Sequence, residues 1–109
     1  MKVMVVDDET VVLFLIARTI KDAGYDVLTA GNAADAYLHI AAHNDIKAIF
    51  MDLHLPGTNG VQMLNNFSTL CPHSKIAVMT GFNNDEVDEK QVKVFLKPFT
   101  SGELVAWLQ

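Results

Sequence analysis

The chain has 109 residues and a mass of 12.0 kDa, which is enough for one domain with a buried core but too little for two. Aspartate and glutamate number 13 against 8 lysines and arginines, so the net charge of −5 argues against direct binding to nucleic acid or to a membrane surface. The single cysteine cannot close an internal disulfide, which fits a reducing cytoplasm.

The pattern predicts neither a signal peptide nor a membrane span, because no apolar run approaches the required length. The chain ends at Gln109 inside a helical pattern. We therefore expect residues 1–109 to form a single module, which would suit the N-terminal part of a longer protein.

Short apolar runs typical of strands alternate along the chain with segments of helical period. Gly24 would close the first helix, and Asn32 would cap the start of the second. The predicted elements, in chain order, are a strand at 2–6, a helix at 9–23, a strand at 26–29, a helix at 32–43, a strand at 48–51, a helix at 61–70, strands at 75–79 and 93–96, and a helix from residue 100 or 101.

The last three predicted strands are almost continuous apolar runs rather than alternating ones. Strands of that kind are covered on both faces, which predicts a parallel, doubly wound α/β sheet with right-handed crossovers. The fourth crossover is unusually short. Residues 81–96 must supply both this crossover and the fifth strand, whereas a crossover alone needs about a dozen residues. We therefore expect its helix to be short or partly irregular.

Polar side chains follow four of the predicted strands: Asp7 and Asp8 the first, Asp52 the third, Thr80 the fourth and Lys97 the fifth. In an open parallel sheet ligands bind at the carboxyl ends of the strands, so these side chains are predicted to converge on one site. Carboxylates in close proximity repel unless a cation neutralises them, and an incomplete shell of hard oxygens suits Mg²⁺. The long arm of Lys97 would pair with Asp52 or with an anion bound there, and Thr80 would supply a neutral hydroxyl.

A carboxylate nucleophile, a cation, an ammonium and a hydroxyl together are typical of phosphoryl transfer. An aspartyl phosphatase of the haloacid dehalogenase type uses similar groups, but it places an Asp-x-Asp element after the first strand, where this chain has Asp7 next to Asp8. A flavodoxin-like cofactor carrier would need a phosphate-binding loop at that point, where this chain has three consecutive acids.

Four short segments carry a resemblance to a known family: Asp7-Asp8-Glu9, Met51-Asp52-Leu53-His54-Leu55-Pro56-Gly57, Met79-Thr80-Gly81 and Leu96-Lys97-Pro98-Phe99. In order and spacing, apart from the shortened fourth crossover, the chain resembles the receiver domain of two-component response regulators. The resemblance implies the flavodoxin-like strand order 2-1-3-4-5 and a signalling switch that catalyses its own phosphorylation and dephosphorylation. A histidine kinase or a histidine phosphotransfer protein would be the donor and Asp52 the acceptor.

The same resemblance assigns roles within the site. Asp8 would ligate Mg²⁺ directly, with Asp7 in support and with Asp52 and the backbone carbonyl of His54 completing the protein ligands. Thr80 and Lys97 would hold the phosphoryl oxygens, and their chain neighbours Gly81 and Pro98 would shape the site, the Lys97–Pro98 peptide bond being cis.

The chain departs from the family at several positions. Val94 stands where the family usually has an aromatic residue whose rotamer reports phosphorylation, and Phe82 is bulky where the family varies. Val94 and the reduced fourth crossover would fit a degenerate receiver that acts only as an interaction or dimerisation module, whereas the complete set of site residues argues against it. The side chain of His54 would either tune hydrolysis of the phosphoryl group or be an exposed loop histidine.

The first predicted helix is apolar almost all round. If Val12 and Ile16 face the sheet, a rotation of about 100° per residue turns Val11 and Phe14 outward. That pair would suit docking of a kinase or phosphotransfer helix, or would be covered by a further C-terminal segment. A homodimer is one of the assemblies that the sequence leaves open.

Overall fold

The computed structural model describes residues 1–81, 87–89 and 92–109. The predicted elements are confirmed to within three residues at each end. Their bounds are β1 Lys2–Val6, α1 Thr10–Asp22, β2 Asp26–Ala30, α2 Ala33–Ala42, β3 Ile46–Asp52, α3 Gly60–Leu70, β4 Lys75–Thr80, β5 Lys93–Leu96 and α4 Ser101–Leu108.

All five strands are parallel and lie in the order β2-β1-β3-β4-β5, which confirms the predicted doubly wound sheet. The register aligns the carboxyl ends of the central strands: Val6 pairs with Met51 and Asp52 pairs with Met79. The residues that follow β1, β3 and β4 therefore emerge together at one edge.

Each face of the sheet carries its own apolar layer. On one face, Met51 packs with Phe67 of α3; on the other, Phe50 packs with Ile16 of α1 and Leu104 of α4. Successive residues of a strand point to opposite faces, so a strand covered on both sides is apolar throughout. The same alternation places Val94 and Phe95 on opposite faces, as predicted.

Local signals set the ends of the helices. Gly24 closes α1 with a φ of 98°, a left-handed conformation that glycine adopts without steric penalty. The Asn32 side chain accepts a hydrogen bond from the backbone N–H of Asp35 at the start of α2. Thr100 and Glu103 form a reciprocal capping box at the start of α4.

The connection from β4 to β5 is described only in part. Gly81, residues 87–89 and Val92 contain no helix, and Val87 is buried in the core. The predicted short helix falls largely on residues 82–86 and 90–91, and the remark on Phe82 falls there too; both lie outside the described residues. Within the described ranges, every helix is too short or too polar to cross a membrane.

Candidate functional site

Three carboxylates gather where β1 and β3 end. Asp7, Asp8 and Asp52 each offer one oxygen, and these oxygens lie within 4.8 Å of one another. The Asp7 side chain is fully buried, Asp52 is 5% exposed and Asp8 is open to solvent. The positions of these three acids at the strand ends predicted that they would converge, and the structure brings them together.

Asp7 and Asp52 are held in the same way. Oδ1 of Asp7 accepts a hydrogen bond from the backbone N–H of Glu9, and Oδ1 of Asp52 accepts one from the backbone N–H of His54, both at 2.9 Å. In each case the donor lies two residues further along the chain, so a tight turn fixes the carboxylate. Both Oδ2 atoms then point at the ammonium of Lys97.

Lys97 bridges the two buried acids. Its Nζ lies 3.4 Å from Oδ2 of Asp7 and 3.5 Å from Oδ2 of Asp52, while its backbone N–H donates to the carbonyl of Thr80 at 2.7 Å. The predicted pairing with Asp52 is present, and the contact with Asp7 is one that strand spacing did not suggest. The Lys97–Pro98 peptide bond is cis, as expected.

The pKa values of Lys97 and Asp7 are both shifted by burial and by neighbouring charges. Burial acts to lower the pKa of Lys97, but attraction to Asp52 and Asp7 outweighs it and leaves that pKa raised. Burial raises the pKa of Asp7 above its usual 3.8, and repulsion by Asp52 adds to the rise, although the N–H of Glu9 and the charge of Lys97 oppose it. A second cation nearby would stabilise the ionised form of this buried carboxyl group.

The donor chemistry fits a hard divalent cation. Carboxylate oxygens are the ligands that Mg²⁺ prefers, and one exposed acid beside two buried ones leaves room for the waters that Mg²⁺ retains. Asp7, Asp8 and Asp52 are the side chains that could hold such an ion. The role of the His54 carbonyl stays a prediction.

Thr80 contacts His54 beside the end of β3, and Thr80 belongs to β4, which lies on the other side of β3 from β1. The hydroxyl of Thr80, a residue that is 1% exposed, lies 3.0 Å from Nε2 of His54. His54 is an exposed residue, as one of the two sequence hypotheses held, but its ring nevertheless contacts Thr80. Gly81 follows Thr80 directly, and a Cβ there would meet no other heavy atom within 4 Å among the described residues.

A largely apolar groove lies between α1 and the segment that leads from β5 into α4. Lys97 and Pro98 line it together with Val12, Phe14 and Leu15. Phe14 is 64% exposed and Val11 is 71% exposed, which confirms that both point outward. The groove therefore places exposed apolar side chains of α1 beside Lys97, a residue of the site.

The family model for the response regulator receiver domain matches residues 3–109, and the chain belongs to this family. Receiver domains are signalling switches of two-component systems, and they interact with histidine kinases or phosphotransfer proteins. The fold, the strand order and the acidic cluster are those expected of the family.

Individual relatives agree with that assignment. The chain is 36% identical over 91 residues to the transcriptional regulatory protein AruR of Pseudomonas aeruginosa, a match that covers 80% of this chain and 36% of that regulator. The structure is similar to chemotaxis protein CheY4 of Vibrio cholerae, with a TM-score of 0.86, 25% identity and coverage of 99% of this chain and 95% of that one. A response regulator from Burkholderia pseudomallei, determined with a phosphorylated aspartic acid, a calcium ion and citrate, gives a TM-score of 0.87 at 27% identity, over 99% of this chain and 66% of that one.

Proposed function

We propose that Asp52 accepts a phosphoryl group from a phosphohistidine donor in a Mg²⁺-dependent reaction, and that the modified chain changes its output surface. The observation that carries the proposal is the gathering of Asp7, Asp8 and Asp52 within 4.8 Å under the ammonium of Lys97. Phosphoryl transfer asks the protein mainly to position groups and to neutralise charge, and these residues do both.

The reaction would proceed by displacement at phosphorus. A carboxylate oxygen of Asp52 attacks the phosphorus, the P–N bond of the phosphohistidine breaks, and its electron pair remains on the imidazole of the donor. The transferred group brings negative charge close to Lys97, whose ammonium already lies 3.5 Å from Asp52. The hydroxyl of Thr80 would donate a hydrogen bond to a phosphoryl oxygen.

Asp7, Asp8, Asp52 and the backbone carbonyl of His54 would hold the Mg²⁺, with Asp8 a direct ligand and Asp7 in support. When bound, the ion supplies positive charge that offsets the carboxylates and the incoming phosphoryl oxygens. The protein itself positions the ligands, because the backbone N–H groups of Glu9 and His54 hold the carboxylates of Asp7 and Asp52 in place.

The direct test is intact-mass spectrometry of the chain after incubation with acetyl phosphate and MgCl₂. The wild type should gain the mass of one phosphoryl group, whereas Asp52→Asn, which keeps the shape of the side chain but removes the charge, should not. Asp26→Asn is a matched control, because Asp26 is an exposed acid at the opposite end of the sheet. A wild-type mass that never changes would refute the proposal.

The donor is proposed to dock on α1. The groove lined by Val12, Phe14 and Leu15 is also lined by Lys97, which contacts Asp52, so a helix lying there would bring its phosphohistidine close to Asp52. Burial of exposed apolar side chains would supply the affinity that a small-molecule donor lacks.

A degenerate receiver that acts only as an interaction or dimerisation module finds no support in the site. Asp7, Asp8, Asp52, Thr80 and Lys97 are all present and are brought together. We propose instead a single cytoplasmic receiver module. Its match to only 36% of AruR agrees with a module that also works inside longer regulators. Light scattering would detect a homodimer of this module.

A further inference from the structure

The side chain of His54 contacts the hydroxyl that the proposed reaction needs. Nε2 of His54 lies 3.0 Å from Oγ1 of Thr80, within hydrogen-bond distance. The backbone N–H of the same residue donates to Asp52, so His54 is tied to the proposed phosphoacceptor through its main chain and to Thr80 through its ring.

A threonine hydroxyl has one proton, and phosphoryl oxygens only accept hydrogen bonds. A Thr80 hydroxyl that donates its proton to Nε2 therefore cannot donate it to a phosphoryl group on Asp52. We propose that Nε2 is the unprotonated ring nitrogen of His54 and accepts this proton, which makes His54 a latch on Thr80: the imidazole holds the hydroxyl in the unphosphorylated protein and releases it when Asp52 carries a phosphoryl group. The inference rests on the proposed function and names a positioning residue that regulates it.

Burial makes the latch asymmetric. Thr80 is 1% exposed, so breaking the contact removes a protein partner from a hydroxyl that water does not reach. His54 is an exposed residue, so its ring can instead turn into solvent, where water replaces Thr80 as the partner of Nε2. The contact is thus favoured until the phosphoryl oxygens offer the hydroxyl an ionised acceptor, which forms the stronger hydrogen bond.

The test is titration of the metal-loaded chain with beryllofluoride, a mimic of a phosphoryl group on a carboxylate, in MgCl₂. His54→Ala removes the competing contact, so we expect it to bind beryllofluoride about two- to tenfold more tightly than the wild type, the effect of one hydrogen bond. His73→Ala, which removes an exposed histidine outside the site, should leave the affinity unchanged. Unchanged or weaker binding by His54→Ala would overturn the latch.

A double-mutant cycle separates the latch from a general effect of the ring. In a Thr80→Val background no hydroxyl remains to be released, so His54→Ala should then change the affinity little. A gain that persists in that background would also overturn the inference. If the wild type itself does not bind beryllofluoride, the proposed function fails together with the latch, whereas wild-type binding with an unaltered His54→Ala affinity refutes the latch alone.

Discussion

The ammonium of Lys97 lies 3.4 Å from Oδ2 of Asp7, a carboxylate whose side chain is closed to solvent. The lysine follows β5 and the aspartate follows β1, with β3 and β4 between them in the sheet. The ammonium of Lys97 therefore links the ends of β5 and β1, and it offsets the charge of the buried carboxylates Asp7 and Asp52.

Lys97→Met should destabilise the metal-free protein. The substitution leaves the buried carboxylates of Asp7 and Asp52 without their cation, and we expect the free energy of unfolding to fall by about 1–3 kcal/mol. Urea denaturation in EDTA measures the loss. MgCl₂ should reduce it, because the ion would supply the missing positive charge.

The matched control is Lys93→Met, which removes an exposed lysine from β5 itself. Its effect should stay within about 0.5 kcal/mol. Equal losses in the two variants would show that the bridge contributes little to stability.

Asp7→Asn should change how stability depends on pH. Because burial raises the pKa of Asp7, the folded protein holds this proton more tightly than the unfolded chain does. The free energy of unfolding of the wild type should therefore fall as the pH rises from 3.8 through the raised pKa, and the variant should lack that contribution. In metal-free buffer, the stability of the variant relative to the wild type should grow across this interval and then stay constant.

Asp45→Asn provides a control of opposite sign. The hydrogen bond and charge of Lys2 hold the pKa of Asp45 below 3.8. The wild type should therefore gain stability relative to this variant as the pH rises from that lowered pKa to 3.8. The same slope for both variants, measured by urea denaturation across the pH series, would contradict the assignment.

Gly60→Ala should destabilise the start of α3. A Cβ at Gly60 would lie 1.9 Å from the backbone carbonyl oxygen of Leu53, next to Asp52. Alanine is favoured over glycine inside a helix by about 1 kcal/mol, but a clash with backbone outweighs that gain. We expect a net loss of about 1–3 kcal/mol by urea denaturation. Gly31→Ala, where a Cβ has open space, should change stability by less than about 0.5 kcal/mol.

Phe14→Ser should separate donor docking from chemistry. If a donor helix binds the groove along α1, loss of this side chain should slow transfer from a phosphohistidine protein about tenfold, the effect of a contact worth about 1.4 kcal/mol. Phosphorylation by acetyl phosphate should proceed at the wild-type rate. Leu38→Ser, which removes an equally exposed apolar side chain from α2, should alter neither rate. An equal loss of rate with both donors would show that Phe14→Ser disturbs the fold and not the docking of the donor.

Most elements of the fold were predictable because their signals are local. The apolar runs of the strands, the cap at Asn32 and the closing Gly24 each act over a few neighbouring residues. The convergence of Asp7, Asp8 and Asp52 also followed, since a parallel sheet delivers strand ends to one edge. The strand order came from the family resemblance.

Two contacts at the site were not predictable. Lys97 and Asp7 are 90 residues apart, and His54 and Thr80 are 26 apart. Their distances depend on strand register, sheet twist and side-chain rotamers, none of which leaves a periodic trace in the chain.

Which groups reach the site can be read from the residues alone, because residue type and strand period place carboxylates, a hydroxyl and an ammonium at the strand ends. How those groups are paired depends on the packed fold. A hydrogen bond or an ion pair depends on separations of an ångström or less, and such separations are set by packing across the whole sheet.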